Sequence, residues 1–311
     1  MTILRALALL RTPFWDTVMG AVTQLGEQTA FLLLVLVVLW CVDKRWGWRL
    51  LFLGLVSSAV NQLCKAIFLL PRPWVQDPSF PIVESARAAA TGYSFPSGHT
   101  QGAATLCGGL SLWTKKWGWK ALLLCISLLV AFSRLYLGVH TPLDVGVGLL
   151  LGWGLALGCA PLFAREQSRP GLSAALAAAG LLLCLGAVLY VEWMPVTSRN
   201  VAEFDAHGLK SSYTLLGAYL GLLLCAWIDE KKQSFPTHAV WWAQIIKCAL
   251  GLMVVVAARH FLKAPLIALF GGHPMGDCIR YFLMVCIGGW LWPLTFPLFS
   301  RLGKQKKERG W

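Results

Sequence analysis

The sequence predicts an all-α protein, a polytopic bundle of about eight or nine transmembrane helices. Two features of its composition predict this class: 57% of the 311 residues are hydrophobic and only 13% are charged, whereas a soluble domain is nearer one quarter charged. The apolar residues also form long runs, and short basic clusters separate those runs. The net charge of +13 therefore indicates membrane topology, and no nucleic-acid partner is expected.

Nine apolar runs are long enough, or nearly so, to cross a hydrocarbon core of about 30 Å. They lie at 24–42, 48–70, 98–114, 120–138, 143–163, 171–192, 212–228, 239–261 and 279–299. The first run begins with polar residues, and the eighth contains Gln244 and Lys247. If the first run lies on the membrane surface instead, the count is eight. Residues 1–12 lack a convincing signal-peptide cleavage site and are expected to form an interfacial amphipathic helix.

Basic clusters follow every second run, which places all of them on one side of the membrane. They comprise Lys44, Arg45 and Arg49; Lys115, Lys116 and Lys120; Arg165 and Arg169; Lys231 and Lys232; and Arg301, Lys304, Lys306, Lys307 and Arg309. The positive-inside rule makes that side, and the C-terminus, cytoplasmic. The longer polar loops 71–97, 193–211 and 262–278 then lie on the opposite side, where chemistry is expected.

The ten cysteines occur singly, mostly inside the apolar runs, and form no CxxC pair. They are interpreted as small packing residues, so the sequence predicts neither a disulfide framework nor a zinc site.

The stretch from Gly92 to Thr100, GYSFPSGHT, lies between two apolar runs and has the composition of a phosphate-binding helix entrance. Gly98 lets the backbone approach a ligand closely, and the free N–H groups and dipole of a first helical turn favour an anion. Ser97 adds a hydroxyl donor, and His99 adds a group that moves a proton near neutral pH. Taken alone, this stretch is equally compatible with a turn that caps a membrane helix.

Two cations precede this stretch. Lys65 lies near the outer end of the second run, and Arg72 follows seven residues later, between two prolines that end the helix. The alternative for Lys65 is a lysine that snorkels to the membrane surface. Two converging cations are costly at a membrane helix unless they meet water, headgroups or an anion.

The third polar stretch runs from residue 133 to residue 144. Arg134 lies in the last turns of the fourth run, while Thr141 and Pro142 have the pattern of an N-cap and first helical residue. His140 is therefore expected at a helix entrance with Asp144 one turn later. That carboxylate either fixes the tautomer of His140, which leaves the other ring nitrogen as a nucleophile, or serves only as a helix N-terminal charge.

The basic clusters place all three polar stretches on the same, non-cytoplasmic side. Cations, two histidines and a carboxylate then share one pocket, and a phosphoryl-transfer site needs this set of groups. Cations stabilise the transferring oxygens, a nucleophile attacks, and an acid protonates the leaving group.

The pattern K-x6-RP, PSGH and SR-x5-H-x3-D resembles the type 2 phosphatidic acid phosphatase (PAP2) superfamily. It is matched at Lys65, Arg72, Pro73, Pro96, Ser97, Gly98, His99, Ser133, Arg134, His140 and Asp144. The resemblance covers residues 65–144 directly and leaves the last four apolar runs outside. The expected organisation is an N-terminal interfacial or first transmembrane segment, a PAP2 catalytic core and additional transmembrane helices, at 1–47, 48–163 and 164–311.

The resemblance implies that His140 attacks phosphorus to form a phosphohistidine, that Asp144 orients His140, and that His99 acts as acid and then base. The phosphate-binding residues that it implies are Lys65, Arg72, Ser97, Gly98 and Arg134. It implies no metal ion and no other cofactor.

The expected substrate is a lipid phosphate or pyrophosphate: undecaprenyl pyrophosphate, phosphatidate, phosphatidylglycerol phosphate or a sphingoid phosphate. The expected setting is a bacterial plasma membrane with the site facing outward, and a homodimer is one candidate assembly. The alternatives are a soluble sugar-phosphate phosphatase of the glucose-6-phosphatase type and a transporter that binds phosphate or lipid without hydrolysing it. Charged outer-loop residues such as Glu84, Arg87, Asp205 and His207 have either a lid or specificity role or an ordinary interfacial one.

Overall fold

A computed structural model describes residues 2–166, 170–194, 197 and 200–302. Arg169, Arg199 and the basic residues Lys304, Lys306, Lys307 and Arg309 lie outside these ranges. The described residues form helices and loops with no β-strand among them, so the all-α prediction is confirmed. The α-helices are α1 (Thr2–Ala8), α2 (Pro13–Gln24), α3 (Gln28–Val37), α4 (Lys44–Phe68), α5 (Pro73–Gln76), α6 (Gly98–Trp113), α7 (Trp117–Tyr136), α8 (Pro142–Arg165), α9 (Pro170–Glu192), α10 (Ala202–Ile228), α11 (Trp241–Phe261), α12 (Lys263–Leu269), α13 (Met275–Cys286) and α14 (Phe296–Arg301).

Seven helical stretches in the described residues are long and apolar enough to cross a membrane. They are Lys44–Gln76, Trp117–Tyr136, Pro142–Arg165, Gly171–Glu192, Ala202–Gln233, Trp241–Leu269 and Met275–Arg301. The first apolar run forms an eighth only as a pair of helices bent by 49°, Pro13–Gln24 and Gln28–Val42. These numbers agree roughly with the predicted eight or nine. The predicted crossing at 98–114 is not among these stretches, because its helix α6 has only 16 residues and extends about 24 Å.

The chain divides into two compact units, Met1–Leu32 with Leu53–Ser212, and Leu33–Phe52 with Tyr213–Trp311. In the first unit, α6 and α8 approach closely because small residues line their contact. A Cβ atom added at Gly152 would lie 2.5 Å from the Cβ of Ala104 and 2.6 Å from the carbonyl oxygen of Gln101. One added at Gly148 would lie 3.0 Å from the carbonyl oxygen of Ser97. Glycine at these positions thus sets the distance between the two helices.

We expect Gly152→Ala to destabilise the protein by about 1–3 kcal/mol, because its methyl group would overlap α6 in a well-packed contact. Gly154→Ala is the matched control, since a Cβ atom at this position on the same helix meets nothing within 4 Å. Thermal unfolding of the purified proteins in one detergent measures the difference. Equal midpoints for the two variants would contradict the close approach of α6 and α8.

A buried polar network joins α4 to α6. Asn61 donates to the carbonyl oxygen of Pro96 at 3.2 Å and to the side-chain oxygen of Gln101 at 2.9 Å. Gln101 in turn donates to the carbonyl oxygen of Ser57 at 2.8 Å, and the Ser57 hydroxyl lies 2.7 Å from that of Thr105. Because buried polar groups that lose a partner are costly, this network fixes the position of α4 beside the start of α6.

The N-terminal helices pack on the C-terminal half of α7 in the same unit. Arg11 donates to the carbonyl oxygens of Tyr136 and Pro81, both at 2.8 Å. The hydroxyl of Tyr136 donates to Asp16 at 3.0 Å. Residues 1–12 were expected to form one interfacial helix, whereas the described part forms α1 and a turn that is hydrogen-bonded to the end of α7.

The second unit accommodates the two polar residues of the eighth run. Lys247 is fully buried, and its ammonium donates to the carbonyl oxygens of Trp40 at 2.8 Å and Thr237 at 3.0 Å. Gln244 donates to the carbonyl oxygen of Thr237 at 2.9 Å. The helix keeps these polar residues because loop and helix-end carbonyls satisfy their donors.

Candidate active site

Arg72 is held rigidly by three backbone carbonyl groups of the first unit. Helix α4 ends at Phe68, so Arg72 does not continue its helical face but precedes the short helix α5. Its Nε donates to Gly92 at 3.0 Å, its Nη2 to Thr91 at 2.7 Å and its Nη1 to Val139 at 3.1 Å. These bonds connect Arg72 to the loop before α6 and the loop before α8.

The imidazole of His140 lies against this guanidinium, with Nε2 at 2.7 Å from Nη1 of Arg72. Arginine has donors only, so Nε2 must accept and keeps its lone pair. The proton of the neutral ring is therefore on Nδ1, which lies 3.3 Å from the hydroxyl oxygen of Ser94 and 3.5 Å from Oδ2 of Asp144. The contact with Arg72 therefore selects the Nδ1–H tautomer, in which the unprotonated Nε2 faces the guanidinium.

Ser94 connects His140 to Asp144, and sequence reasoning did not identify it. The Ser94 hydroxyl donates its proton to Oδ2 of Asp144 at 2.6 Å. The Ser94 oxygen therefore has lone pairs that can accept a hydrogen bond from Nδ1 of His140. The direct distance from Nδ1 to Oδ2 is longer than an ordinary hydrogen bond. The available signal was its place in the GYSFPSGHT stretch, three residues before Ser97.

Asp144 has a second, structural role at the start of α8. Its side chain accepts from the backbone N–H of Thr141 at 2.7 Å, while its own N–H donates to the Thr141 hydroxyl at 3.3 Å. This reciprocal capping box confirms Thr141 as the N-cap, with Pro142 in the first turn. The same carboxylate thus caps the helix and lies beside His140, so its contacts go beyond those of a helix N-terminal charge.

His140 is 1% exposed and surrounded by positive charge. Burial lowers the pKa of His140 well below its ordinary value, and the charges of Arg72, Arg134 and Lys65 lower it further. The ring is accordingly neutral at physiological pH, as a nucleophilic nitrogen must be.

Ser97, which the sequence analysis named only as a hydroxyl donor, is the N-cap of α6. Its hydroxyl oxygen accepts from the N–H and the hydroxyl of Thr100, at 3.5 and 3.0 Å, and so retains its own proton for donation. Its backbone N–H donates to the carbonyl oxygen of Asp144 at 3.0 Å, which joins the starts of α6 and α8. At Gly98 an added Cβ would meet only Asn61, at 3.5 Å, so packing within the protein does not require glycine there.

Two side chains of the site have buried nitrogen atoms without a partner among the described residues. Arg134 is fully buried, and only its Nη1 is bonded, to the hydroxyl of Thr23 at 2.8 Å. Its Nε and Nη2, and Nε2 of His99, have no hydrogen-bond acceptor or donor nearby. Because unpaired buried donors are costly, their presence beside His140 indicates an anion site.

The remaining predicted cation, Lys65, lies in the last turn of α4 and is 8% exposed. This burial does not fit a lysine that snorkels to the surface, and its charge acts on His140. Arg87 and Glu84 instead pair with each other at 2.8 Å and remain exposed, as expected of solvated loop residues. The structure thus brings together all eight predicted site residues and leaves this loop pair outside.

Two stretches of this chain match known protein families. Residues 46–168 match the PAP2 superfamily, and residues 213–307 match the PAP2 superfamily phosphatase, transmembrane extension. The chain belongs to the PAP2 superfamily. The first match contains every predicted site residue. The second corrects the expectation that the last four apolar runs fall outside the family, because it includes three of them.

Curated relatives of this PAP2 chain carry two kinds of name. Sphingosine-1-phosphate phosphatase 1 of Mus musculus is 27% identical over 253 residues, which cover 78% of this chain and 58% of that protein. An undecaprenyl-diphosphatase of Bacillus subtilis is 34% identical over 92 residues, 30% of this chain and 45% of that protein. An undecaprenyl-diphosphatase of Sulfolobus acidocaldarius is 48% identical over 62 residues, which cover 20% of this chain and 30% of that protein.

The chain thus spans about three fifths of the length of the sphingosine-1-phosphate phosphatases that it matches, 58% for the mouse protein and 62% for that of Rattus norvegicus. No solved structure matches the chain. Among the described residues of this PAP2 protein, no group of His, Cys, Asp or Glu side chains is arranged to hold a metal ion.

The Ser94 hydroxyl makes a testable contribution to this PAP2 site. We expect Ser94→Ala to lower the turnover number for phosphate release about 10- to 100-fold, because a small misorientation of a nucleophile is costly. The ¹⁵N signal of Nδ1 of His140 should also shift because Nδ1–H loses its contact with the Ser94 oxygen, while the Nδ1–H tautomer persists because Arg72 still donates to Nε2. Ser111→Ala is the matched control, since Ser111 is equally buried but donates to Gly108 within α6. An unchanged Nδ1 signal and full activity in Ser94→Ala would refute the connection.

Proposed function

We propose that this PAP2 chain is a metal-independent integral-membrane phosphatase that hydrolyses a lipid phosphate or diphosphate through a phosphohistidine on His140. One observation carries the proposal. A buried, neutral histidine keeps its Nε2 lone pair beside a cationic cluster, while its other nitrogen faces Ser94 and Asp144. Binding of phosphate alone needs the cations but not an oriented histidine.

In the proposed first step, Nε2 of His140 forms a bond to phosphorus as the bond from phosphorus to the leaving oxygen breaks. The Nη1 group of Arg72 passes from Nε2 to a phosphate oxygen, and His99 gives a proton to the leaving oxygen. The negative charge of the bound phosphate favours the protonated form of His99. In the second step, neutral His99 takes a proton from water, whose oxygen attacks phosphorus and breaks the Nε2–P bond. Inorganic phosphate leaves, and His140 is neutral again.

The unpartnered nitrogen atoms of Arg134 supply the preorganised part of this site. A guanidinium that already lies in a water-poor pocket stabilises developing charge without reorganising. Lys65, the Ser97 hydroxyl and the N–H of Gly98 at the start of α6 complete the proposed phosphate site.

The comparisons favour a sphingoid phosphate as the first substrate to test. The similarity to sphingosine-1-phosphate phosphatases extends over 78% of the chain, whereas the similarity to the undecaprenyl-diphosphatases covers 30% or less of it. An undecaprenyl diphosphate is the second candidate because those shorter similarities are higher in identity. Phosphatidate and phosphatidylglycerol phosphate are the remaining candidate substrates.

We further propose that the site faces the non-cytoplasmic side and that the C-terminus is cytoplasmic. Four helices, α4, α6, α7 and α8, bring one end each to the site. The basic residues at the other ends of these helices, such as Lys44, Lys116 and Arg165, support a cytoplasmic location for those ends. A bacterial plasma membrane is the proposed setting.

The test is phosphate release by the purified full chain in detergent with excess chelator. The panel contains sphingosine 1-phosphate, undecaprenyl diphosphate, phosphatidate, phosphatidylglycerol phosphate and glucose 6-phosphate. We expect release from at least one lipid and little from the sugar phosphate. Binding of these ligands without any release would favour the transporter alternative, and release that requires an added metal would refute the proposed chemistry.

A further inference from the structure

A small cavity of about 10 Å³, room for one water-sized group, lies beside the proposed phosphate site and is lined by Lys65. Its walls come from α4, the loop at Gly92 and Tyr93, the end of α9 and the start of α10, all in the first unit. The chemistry proposed above does not use this space, although the proposed phosphate-binding residue Lys65 lines it. Its polar lining includes Asp205 and His207, which sequence analysis left open between specificity and interfacial roles.

Asp205 is held in place by the residues around it. One carboxylate oxygen accepts from the hydroxyl of Tyr93 at 2.8 Å, and the other accepts from the side-chain amide of Asn200 at 3.1 Å. The Tyr93 hydroxyl accepts from the backbone N–H of Val201 at 2.9 Å, and its ring packs edge-on against Phe204 at 5.3 Å between centroids. A carboxylate oxygen accepts more than one hydrogen bond, so Asp205 retains capacity for a ligand.

The wall of the cavity is continuous with the residues that hold Arg72. Thr91 and Gly92 accept hydrogen bonds from Arg72 through their carbonyl oxygens. On its other side, this loop contacts His207, whose Nε2 lies 3.2 Å from the Thr91 hydroxyl. A phosphate held by Arg72 and Lys65 therefore has the cavity next to it, and a water-sized ammonium group on the alcohol part of the substrate would fit there.

The residues that line the cavity favour some alcohol parts of the substrate over others. Val191, Met194 and Phe204 form apolar walls, which leave few polar groups to compete for a ligand in this small space. Of the described residues that line the cavity, Asp205 is the only carboxylate. A carboxylate here attracts a cation on the substrate and opposes a second phosphate group.

We propose that Asp205 determines substrate specificity by binding a protonated amine carried next to the phosphate, as in an amino-alcohol phosphate with a long hydrocarbon chain. The inference rests on the proposed phosphatase function and assigns its alcohol subsite. The cations beside His140 bind the phosphate, and Asp205 binds the ammonium group one or two carbons away. A diphosphate or an alkyl phosphate without an amine lacks this contact.

Two substrates that differ in the amine test the inference. Sphinganine 1-phosphate carries an amine beside the phosphate, and octadecyl phosphate has the same chain length without it. We expect the wild type to prefer the amine-bearing substrate in kcat/KM, and Asp205→Asn to lower the ratio of the two kcat/KM values about tenfold, the size of one charge-assisted hydrogen bond. In this variant, the kcat/KM for a third substrate, undecaprenyl diphosphate, should rise relative to the kcat/KM for sphinganine 1-phosphate.

Two further variants separate recognition from folding. Tyr93→Phe removes the hydroxyl that positions Asp205 but keeps the carboxylate, and it should retain a preference for the amine. Glu203→Gln changes an exposed acid on the same helical turn and should leave the ratio unaltered. A ratio that Asp205→Asn does not change, or that Tyr93→Phe lowers equally, would overturn the inference while the phosphatase function stands. Failure of the wild type to hydrolyse any phosphate would refute the phosphatase function itself.

Discussion

Replacing His140 with alanine is expected to reduce phosphate release at least about 10⁴-fold, because the variant lacks the nitrogen that forms the covalent intermediate. Wild-type protein quenched in alkali during turnover of ³²P-labelled substrate should carry label that is stable to base and released by acid, as a phosphohistidine is. The variant should carry none. Both measurements use purified protein in detergent with chelator.

His260→Ala is the control for this experiment, since His260 is an exposed histidine at the end of α11. It should retain full release and full labelling. If His140→Ala kept more than a few per cent of the activity, water rather than His140 would attack phosphorus. Release without labelled wild-type protein would also contradict a phosphohistidine that accumulates during turnover.

Arg134→Gln is expected to have opposite effects on activity and on stability. The variant loses two unpartnered donors and a positive charge beside the reacting phosphate, so kcat should fall about 10²- to 10³-fold. The same guanidinium is fully buried, and its Nε and Nη2 have no partner within the part of the chain that the structure describes. Its removal should therefore raise the thermal unfolding midpoint without substrate, because an uncompensated buried charge is destabilising.

Arg87→Gln is the matched control, since Arg87 is exposed and paired with Glu84 in the same polar loop. It should change neither the turnover number nor the unfolding midpoint. A lower midpoint in Arg134→Gln would mean that the guanidinium serves mainly to hold Thr23 on α2. Retained activity would remove Arg134 from the proposed phosphate site.

Local patterns in the sequence were sufficient for the fold class and for the ends of the helices that form the site. Long apolar runs predicted the helices because hydrocarbon leaves no other partner for their backbone polar groups. The Thr141–Pro142 pair predicted the start of α8, because an N-cap hydroxyl and a fixed φ act within one turn. The eight candidate site residues came from three motifs whose internal spacing is short.

The helix α6 shows where hydropathy alone was insufficient. The run at 98–114 predicted a crossing but not what surrounds it: the 16-residue helix is largely buried against protein, and its glycines and small polar residues contact α4 and α8. Hydropathy reports how apolar a run is but not whether lipid or protein surrounds it.

Tertiary structure alone decided which residues support the motifs. Ser94 meets Asp144 across 50 positions, Thr23 meets Arg134 across 111, and Tyr93 meets Asp205 across 112. Likewise, Cys41 and Cys248, which are single cysteines in sequence, lie 3.2 Å apart. Serine, threonine, tyrosine and cysteine occur in many helices, and their chemistry becomes specific only when packing brings a distant partner within hydrogen-bonding distance. The sequence by itself therefore determined the helices and the candidate site residues, while packing decided how those side chains are oriented and which distant residues lie beside them.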